Sequence, residues 1–155
     1  MSFRPQSPIA TPDGYRDEEF AYSFDASNCA SLVGTIATRQ GVNDIPLLLQ
    51  PDTEFRWQGF KISADAGGSS LAVQLKDPYG NYLSDGVVPV NSYGVPSGLG
   101  QHIGTQPVAL ESEIVCPPGG VVWLYLYNPT TGTYTIDIAV TLYGVKRTQN
   151  LRCAA

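Results

Sequence analysis

Short apolar or alternating runs recur along this chain at intervals of about ten residues, and clusters of Gly, Pro, Asn or Asp separate most of them. That rhythm admits few architectures besides a β-sandwich or barrel. The runs lie at 31–38, 45–50, 54–63, 70–76, 81–90 (interrupted by Asp85-Gly86), 107–115, 121–128 and 133–143. The strongest turn signals are Ala66-Gly67-Gly68-Ser69, Asp77-Pro78-Tyr79-Gly80-Asn81, Pro117-Pro118-Gly119-Gly120 and Asn128-Pro129-Thr130-Thr131-Gly132. Proline presets φ in such turns and glycine supplies positive φ. Charged residues make up only 15% of the 155 residues, against 16 Gly and 12 Pro, so the amphipathic helices of a bundle or coiled coil are excluded. The length favours one domain. The expected fold is all-β: an antiparallel, jelly-roll-like β-sandwich with an extended N-terminal arm and a short C-terminal tail.

Segment 133–143 is the clearest strand. Tyr134, Ile136, Ile138, Val140 and Leu142 alternate with Thr133, Thr135, Asp137, Ala139 and Thr141, so one face is buried and the other wet. Segment 121–128 is apolar on both faces, Val121, Trp123, Tyr125 and Tyr127 alternating with Val122, Leu124 and Leu126. Both faces of such a strand need cover, from the core on one side and from a second subunit or the chain's own arm on the other. A hairpin over 121–143, turned at Asn128–Gly132, is expected. Val122, Leu124 and Leu126 are expected at a subunit interface.

The charge is uneven. Residues 1–54 carry eight acids and three bases, whereas 55–155 carry six of each, which together give the net −5. An acidic chain with no basic patch offers no electrostatic footprint for nucleic acid, and no apolar run approaches the roughly 20 residues of a membrane helix. The first residues lack the apolar stretch of a signal peptide, so export by the general secretory route is not expected. Residues 1–30 read as an arm, broken by Pro5, Pro8 and Pro12 and ending in the alternation Phe20, Tyr22, Phe24, whose rings are expected to dock on their own domain or on a neighbour. The sandwich is placed at 31–147 and a tail at 148–155. Cys116 is expected to be buried. Cys29 and Cys153 fall in irregular segments and are either free thiols or partners in a disulfide between subunits.

The residues do not assemble a catalytic set. His102, the only histidine, sits among glycines at 91–106, an expected long loop with little to orient it. Glu111 and Glu113 share one strand face, a spacing that paired acids of glycosidases or metal sites can use but that solvated strands show far more often. Three scattered cysteines do not make a zinc site, and no P-loop, HExxH, CxxC or EF-hand pattern occurs. No cofactor, metal or enzymatic activity is expected. Trp57, Tyr79, Tyr82 and Tyr93 are candidates for a sugar-stacking platform; as strand and interface residues the same rings need no ligand.

Four segments carry a family resemblance: Asp52-Thr53-Glu54-Phe55-Arg56-Trp57-Gln58-Gly59-Phe60, Val73 to Ser84 around Asp77-Pro78-Tyr79-Gly80-Asn81, Cys116-Pro117-Pro118-Gly119-Gly120, and Tyr143-Gly144-Val145-Lys146-Arg147. In order and spacing they resemble small β-sandwich accessory proteins of tailed-bacteriophage virions, over about residues 50–147. The resemblance implies a non-catalytic structural protein that reinforces or decorates the neck (collar), capsid or tail. Its partners would be copies of itself and other virion proteins such as portal, capsid or tail components. The virion would be its location, after assembly in the host cytoplasm. An extracellular carbohydrate-binding β-sandwich is the alternative.

Overall fold

The computed structural model describes residues 9–10, 14–64, 70–90 and 107–149. Among the described residues there are eleven strands: β1 (Ile9–Ala10), β2 (Tyr15–Phe24), β3 (Thr35–Ile36), β4 (Gly41–Leu48), β5 (Thr53–Ala64), β6 (Ala72–Lys76), β7 (Val88–Pro89), β8 (Val108–Cys116), β9 (Val121–Tyr127), β10 (Tyr134–Thr135) and β11 (Ile138–Gln149). A 3-10 turn lies at Ala30–Leu32. One sheet has the order β1-β2-β11-β5-β8, the other β4-β9-β6-β7, and β10 and β3 form a separate two-stranded ladder. Every pairing is antiparallel.

Set aside β1, β3 and β10, and the eight remaining strands fall into two four-stranded sheets. In chain order the first neighbours the eighth, the second the seventh, the third the sixth and the fourth the fifth, with the eighth also beside the third and the seventh beside the fourth. Those pairings, with the fifth and sixth strands in different sheets, are those of a jelly roll. The protein is an antiparallel β-sandwich of jelly-roll topology.

Period-two alternation builds the core. Phe55, Trp57 and Ile62 of β5 and Val140 and Leu142 of β11 face Ile45 and Leu47 of β4, Val73 and Leu75 of β6, and Val122, Leu124 and Leu126 of β9. Each such side chain contributes about 1.5–3 kcal/mol when fully withdrawn from water.

Several expectations are corrected. Val122, Leu124 and Leu126 are not interface residues. Strand β9 is a central strand whose even-numbered side chains face the other sheet, and these three are wholly inside. The 121–143 hairpin does not form, because β9 pairs with β4 and β6 while β11 pairs with β2 and β5. The Asn128–Gly132 turn instead carries the chain from one sheet to the other. Its buried Asn128 amide donates to the carbonyls of Ile36 and Gly132 at 2.9 and 2.7 Å.

The N-terminal arm is also revised. Residues 15–24 form a full member of the five-stranded sheet, in register with β11 from Phe24–Val140 to Tyr15–Gln149. Tyr22 and Phe24 are buried and Phe20 packs against them, so all three anchors dock on their own domain. The Tyr22 ring stands edge-on to Phe55 at 4.9 Å. The expected tail likewise begins later, since Thr148 and Gln149 belong to β11. Within 31–38 only β3 is strand, preceded by the helical turn that inserts Leu32 into the core, and 81–90 reduces to β7 and a bridge from Tyr82 to Lys76. His102, Tyr93 and Cys153 lie outside the described residues.

Strand β11 can sit between β2 and β5 because of Gly144. The register with β5 slips between Tyr143 and Gly144, and a Cβ on Gly144 would lie 2.0 Å from the Arg56 carbonyl oxygen and 3.0 Å from the Phe55 ring. Backbone cannot yield that far without breaking the ladder. Gly144→Ala is expected to destabilise the fold by about 3 kcal/mol or more, at the upper end of overpacking costs. Gly132→Ala, which meets only ordinary contacts with the Tyr134 ring, serves as the control and should stay within about 0.5 kcal/mol. Denaturant melts of the two variants check this.

Candidate functional site

The four segments that carry the family resemblance are spread over nearly a hundred positions, and the fold gathers much of each at one end of the sandwich. Backbone bonds tie the third of them to the chain just before the first. Gly119 donates to the carbonyl of Gln50 at 2.9 Å and Leu49 to that of Gly120 at 3.0 Å. A Cβ on Gly119 would lie 3.7 Å from Pro51, and one on Gly120 3.5 Å from Pro78. Pro51, Pro78 and Pro117 thus converge from three loops and stiffen this end, since each ring removes a φ rotation.

Asp77 holds the second loop. Its buried carboxylate accepts the amides of Tyr79 and Asn81, both at 2.9 Å, an Asx-type turn that satisfies its charge. The loop presents Tyr79, 62% exposed, whose hydroxyl donates to the Val115 carbonyl at 2.5 Å. Leu48 (64% exposed) and Val115 (39% exposed) sit at the same end, close to these loops. Beneath the surface lies Cys116, fully buried as expected. Burial, and then the nearby Asp77 charge, push its thiol up to about 12.

Beside the proline loops the five-stranded sheet offers charge. A cleft of about 380 Å³ is lined by Tyr15, Asp52, Glu54, Arg56, Pro118 and Arg147. Arg147 grips Asp17 with two parallel bonds of 2.8 Å and lies 5.5 Å from the centre of the Tyr15 ring. Arg56 lies 3.7 Å from both Glu54 and Glu113. The Arg147 hydrogen bonds hold the Asp17 carboxyl below its ordinary range, aided by the Arg147 and Arg56 charges and opposed by burial. This end is apolar at its rim and charge-paired at its side.

The remaining candidates are dispersed. Glu111 and Glu113 lie on β8, an edge strand that bulges away from β5 between Ala109 and Ile114; Glu113 accepts a bond from Gln58 at 2.9 Å and Glu111 faces solvent. Trp57 cannot stack on a ligand, since it is fully buried with its indole N–H donated to the Gly59 carbonyl at 2.8 Å. Cys29 is a free thiol, buried in the core cluster next to the helical turn. Sequence reasoning missed the Arg147–Asp17 pair, because nothing in single-chain spacing signals a contact across 130 positions.

No protein-family model matches the chain, and no curated protein matches it. Among solved structures the chain is similar to one titled as the structure of infectious bursal disease virus Gt strain, with 11% identity and a TM-score of 0.39, over 88% of this chain and 37% of that one. A second, the crystal structure of infectious bursal disease virus VP2 subviral particle, shows 13% identity and a TM-score of 0.36 over 96% of this chain and 40% of that one. The chain therefore spans less than half the length of either.

Two outcomes are expected at this end. Because Asp17 titrates below its ordinary value of 3.8 when folded, its stabilisation is present above that value and is lost as pH falls through it toward the folded one. Asp17→Asn should cost about 1 kcal/mol at neutral pH, and the gap to the unsubstituted protein should close in acid, as thermal melts across the pH range would show. Cys116 should resist alkylation in the native state at pH 8 and react fully in denaturant, as read by peptide mapping.

Proposed function

We propose that this chain is a structural protein of a virion, which reinforces or decorates the neck (collar) or capsid of a tailed bacteriophage. It docks its proline-stiffened end on copies of itself or on other virion proteins. The observation that carries this reading is the convergence at that end of all four segments resembling virion accessory proteins. A rigid rim bearing Leu48, Tyr79 and Val115 loses little conformational entropy on association, which is the main cost that pre-organisation reduces. The paired charges beside it can orient a partner without leaving any one charge to be buried alone. Jelly rolls serve both capsid and lectin domains, so the topology agrees with the reading without selecting it. The role is structural, not catalytic, and calls on no cofactor, nucleic acid or membrane.

Purified particles check the proposal. The chain should co-purify with them in a fixed ratio, and Leu48→Lys combined with Tyr79→Ser should reduce its incorporation by about tenfold or more, as expected when central contacts of an interface are lost. Leu48 and Tyr79 are exposed, so the fold should survive with a small drop in melting temperature from the lost Tyr79–Val115 hydrogen bond. Particles that lack the chain altogether, or that incorporate the double variant normally, would refute this function.

A further inference from the structure

The outer face of the four-stranded sheet holds a second feature, well apart from the proline loops in its chemistry. Strand β9 turns Trp123, Tyr125 and Tyr127 outward, opposite the core leucines. Lys76 and Gln74 of β6 stand directly beside Trp123 and Tyr125 in the ladder, and Tyr82 bridges to Lys76 from the following turn. Together with Asp44 these side chains line a cleft of about 240 Å³. A shallower depression follows on past Gln74 and Tyr82, along Ser84, Asp85 and Gly86.

The backbone is bent to make this cleft. Strand β4 slips register between Val42 and Ile45, and within the slip Asp44 adopts a φ of 55°, a left-handed conformation that non-glycine residues seldom take. Bulges re-aim side chains. Here the bulge sets the Asp44 carboxylate 3.7 Å from the Lys76 amine. Gly41 of the same strand lets the Tyr125 ring lie flat against it: a Cβ there would fall 2.6 Å from the tyrosine hydroxyl. The Lys76 amine is 5.6 Å from the centre of the Tyr82 ring and 5.8 Å from that of Trp123. Tyr82 is 61% exposed, so its ring stands up as a wall with a free face.

These groups restrict the ligand by charge. One amine and one carboxylate neutralise each other, so no surplus charge awaits a phosphate, a nucleotide or an acidic peptide. A quaternary ammonium between the Tyr82 and Trp123 rings would meet the like charge of Lys76, 5.6 and 5.8 Å from their respective centres. What is left is flat apolar ring surface flanked by an ammonium donor, a carboxylate acceptor and the Gln74 amide, which itself donates to the Ser84 carbonyl at 3.0 Å. Aromatic walls with a few fixed polar groups are the usual make-up of a small-ligand site. They match a molecule with apolar C–H faces and a rim of neutral hydroxyls.

We propose that this cleft binds an uncharged saccharide, with Trp123 and Tyr82 stacking on the sugar rings and Asp44, Lys76 and Gln74 hydrogen-bonding the hydroxyls. The platform differs from the one expected from the sequence: Tyr82 stays, Trp57 is replaced by Trp123, and Tyr79 belongs to the other end. Particle incorporation plays no part in this site, so it stands or falls apart from the assembly reading.

The full chain has two tryptophans, which makes indole N–H resonances a clean readout. It would be titrated with soluble oligosaccharides of α-linked glucose, β-linked glucose, β-linked N-acetylglucosamine and α-linked mannose, each to about 10 mM, a range that reaches weak millimolar sites. At least one should shift the Trp123 signal saturably while that of buried Trp57 stays in place. Trp123→Ala, whose binding is followed by calorimetry because the indole signal is gone, and Tyr82→Ala should each weaken binding by about tenfold or more. Asp44→Gly tests the site without threatening the fold, because glycine accommodates the left-handed backbone; it should keep or raise the melting temperature and still weaken binding. The proposal is overturned if no sugar moves Trp123, or if affinity survives in Trp123→Ala and Asp44→Gly. A Trp123 shift produced only by inorganic phosphate or tetramethylammonium, or only by raising protein concentration, would also overturn it.

Discussion

The structure depends on β11 entering between β2 and β5. That one strand joins the N-terminal strand to the middle of the chain, as in the contact of Ser23 with Thr141, 118 positions apart. Closing so large a loop costs entropy before any contact repays it, and ladders dominated by distant pairs fold slowly. Until β11 is seated, β2 has no ladder partner among the described strands except the two residues of β1. Local interactions cannot secure the sheet by halves. The close approach at Gly144 therefore governs more than its own bulge, because it decides whether the strand that completes the sheet can fit.

This also explains what could be read from the sequence. Alternation marks the faces of β9 and β11 correctly, since side-chain direction is a local property of extended backbone. The pairing of strands is not local. Asn128–Gly132 looks like a hairpin turn and is an arch between sheets, because the same Asn-Pro-Thr-Thr-Gly chemistry reverses the chain either way. The reading of 121–128 was right that both faces are apolar and wrong about which needs outside cover: the leucine face met the other sheet, and the aromatic face was left outward. The arm was misread for a related reason. Asp17, Glu18 and Glu19 resemble a solvated charge run until Arg147 and Lys146 arrive opposite Asp17 and Glu18, respectively, with Lys146 also lying 4.7 Å from the centre of the Phe20 ring.

The candidate site was legible in parts and not as a whole. Each of its loops announces a turn, and nothing within a single loop says that Pro51, Pro78 and Pro117 meet. Jelly-roll connectivity gathers them, since alternate connections emerge at the same end of the sandwich. Asp44 is the opposite case. Its sequence context, Asn-Asp before an apolar run, reads as the lead-in to a strand, and only the ladder with β9 reveals a bulge inside one.

How the edges are treated decides which surfaces remain for association. Strand β4 carries Pro46 and the Asp44 bulge, β8 carries Glu111, Glu113 and its own bulge, and β1 and β7 are two residues each, the latter ending in Pro89. Proline, charge, bulges and shortness are the devices by which sheets avoid pairing edge to edge. Strands β4, β7 and β8 are therefore poor templates for another chain's strand, whereas β1 covers β2 only at Arg16 and Asp17. Loops and faces offer further places for contact between copies. Of these, the proline end combines exposed apolar side chains with a backbone already fixed. The aromatic face is interrupted by an ion pair and holds a cleft, which suits a ligand a few rings long better than the broad flat contact of a subunit. The two surfaces thus divide by chemistry: exposed apolar side chains on proline-bearing loops at one end, and aromatic rings around an ion pair on the outer face of the four-stranded sheet.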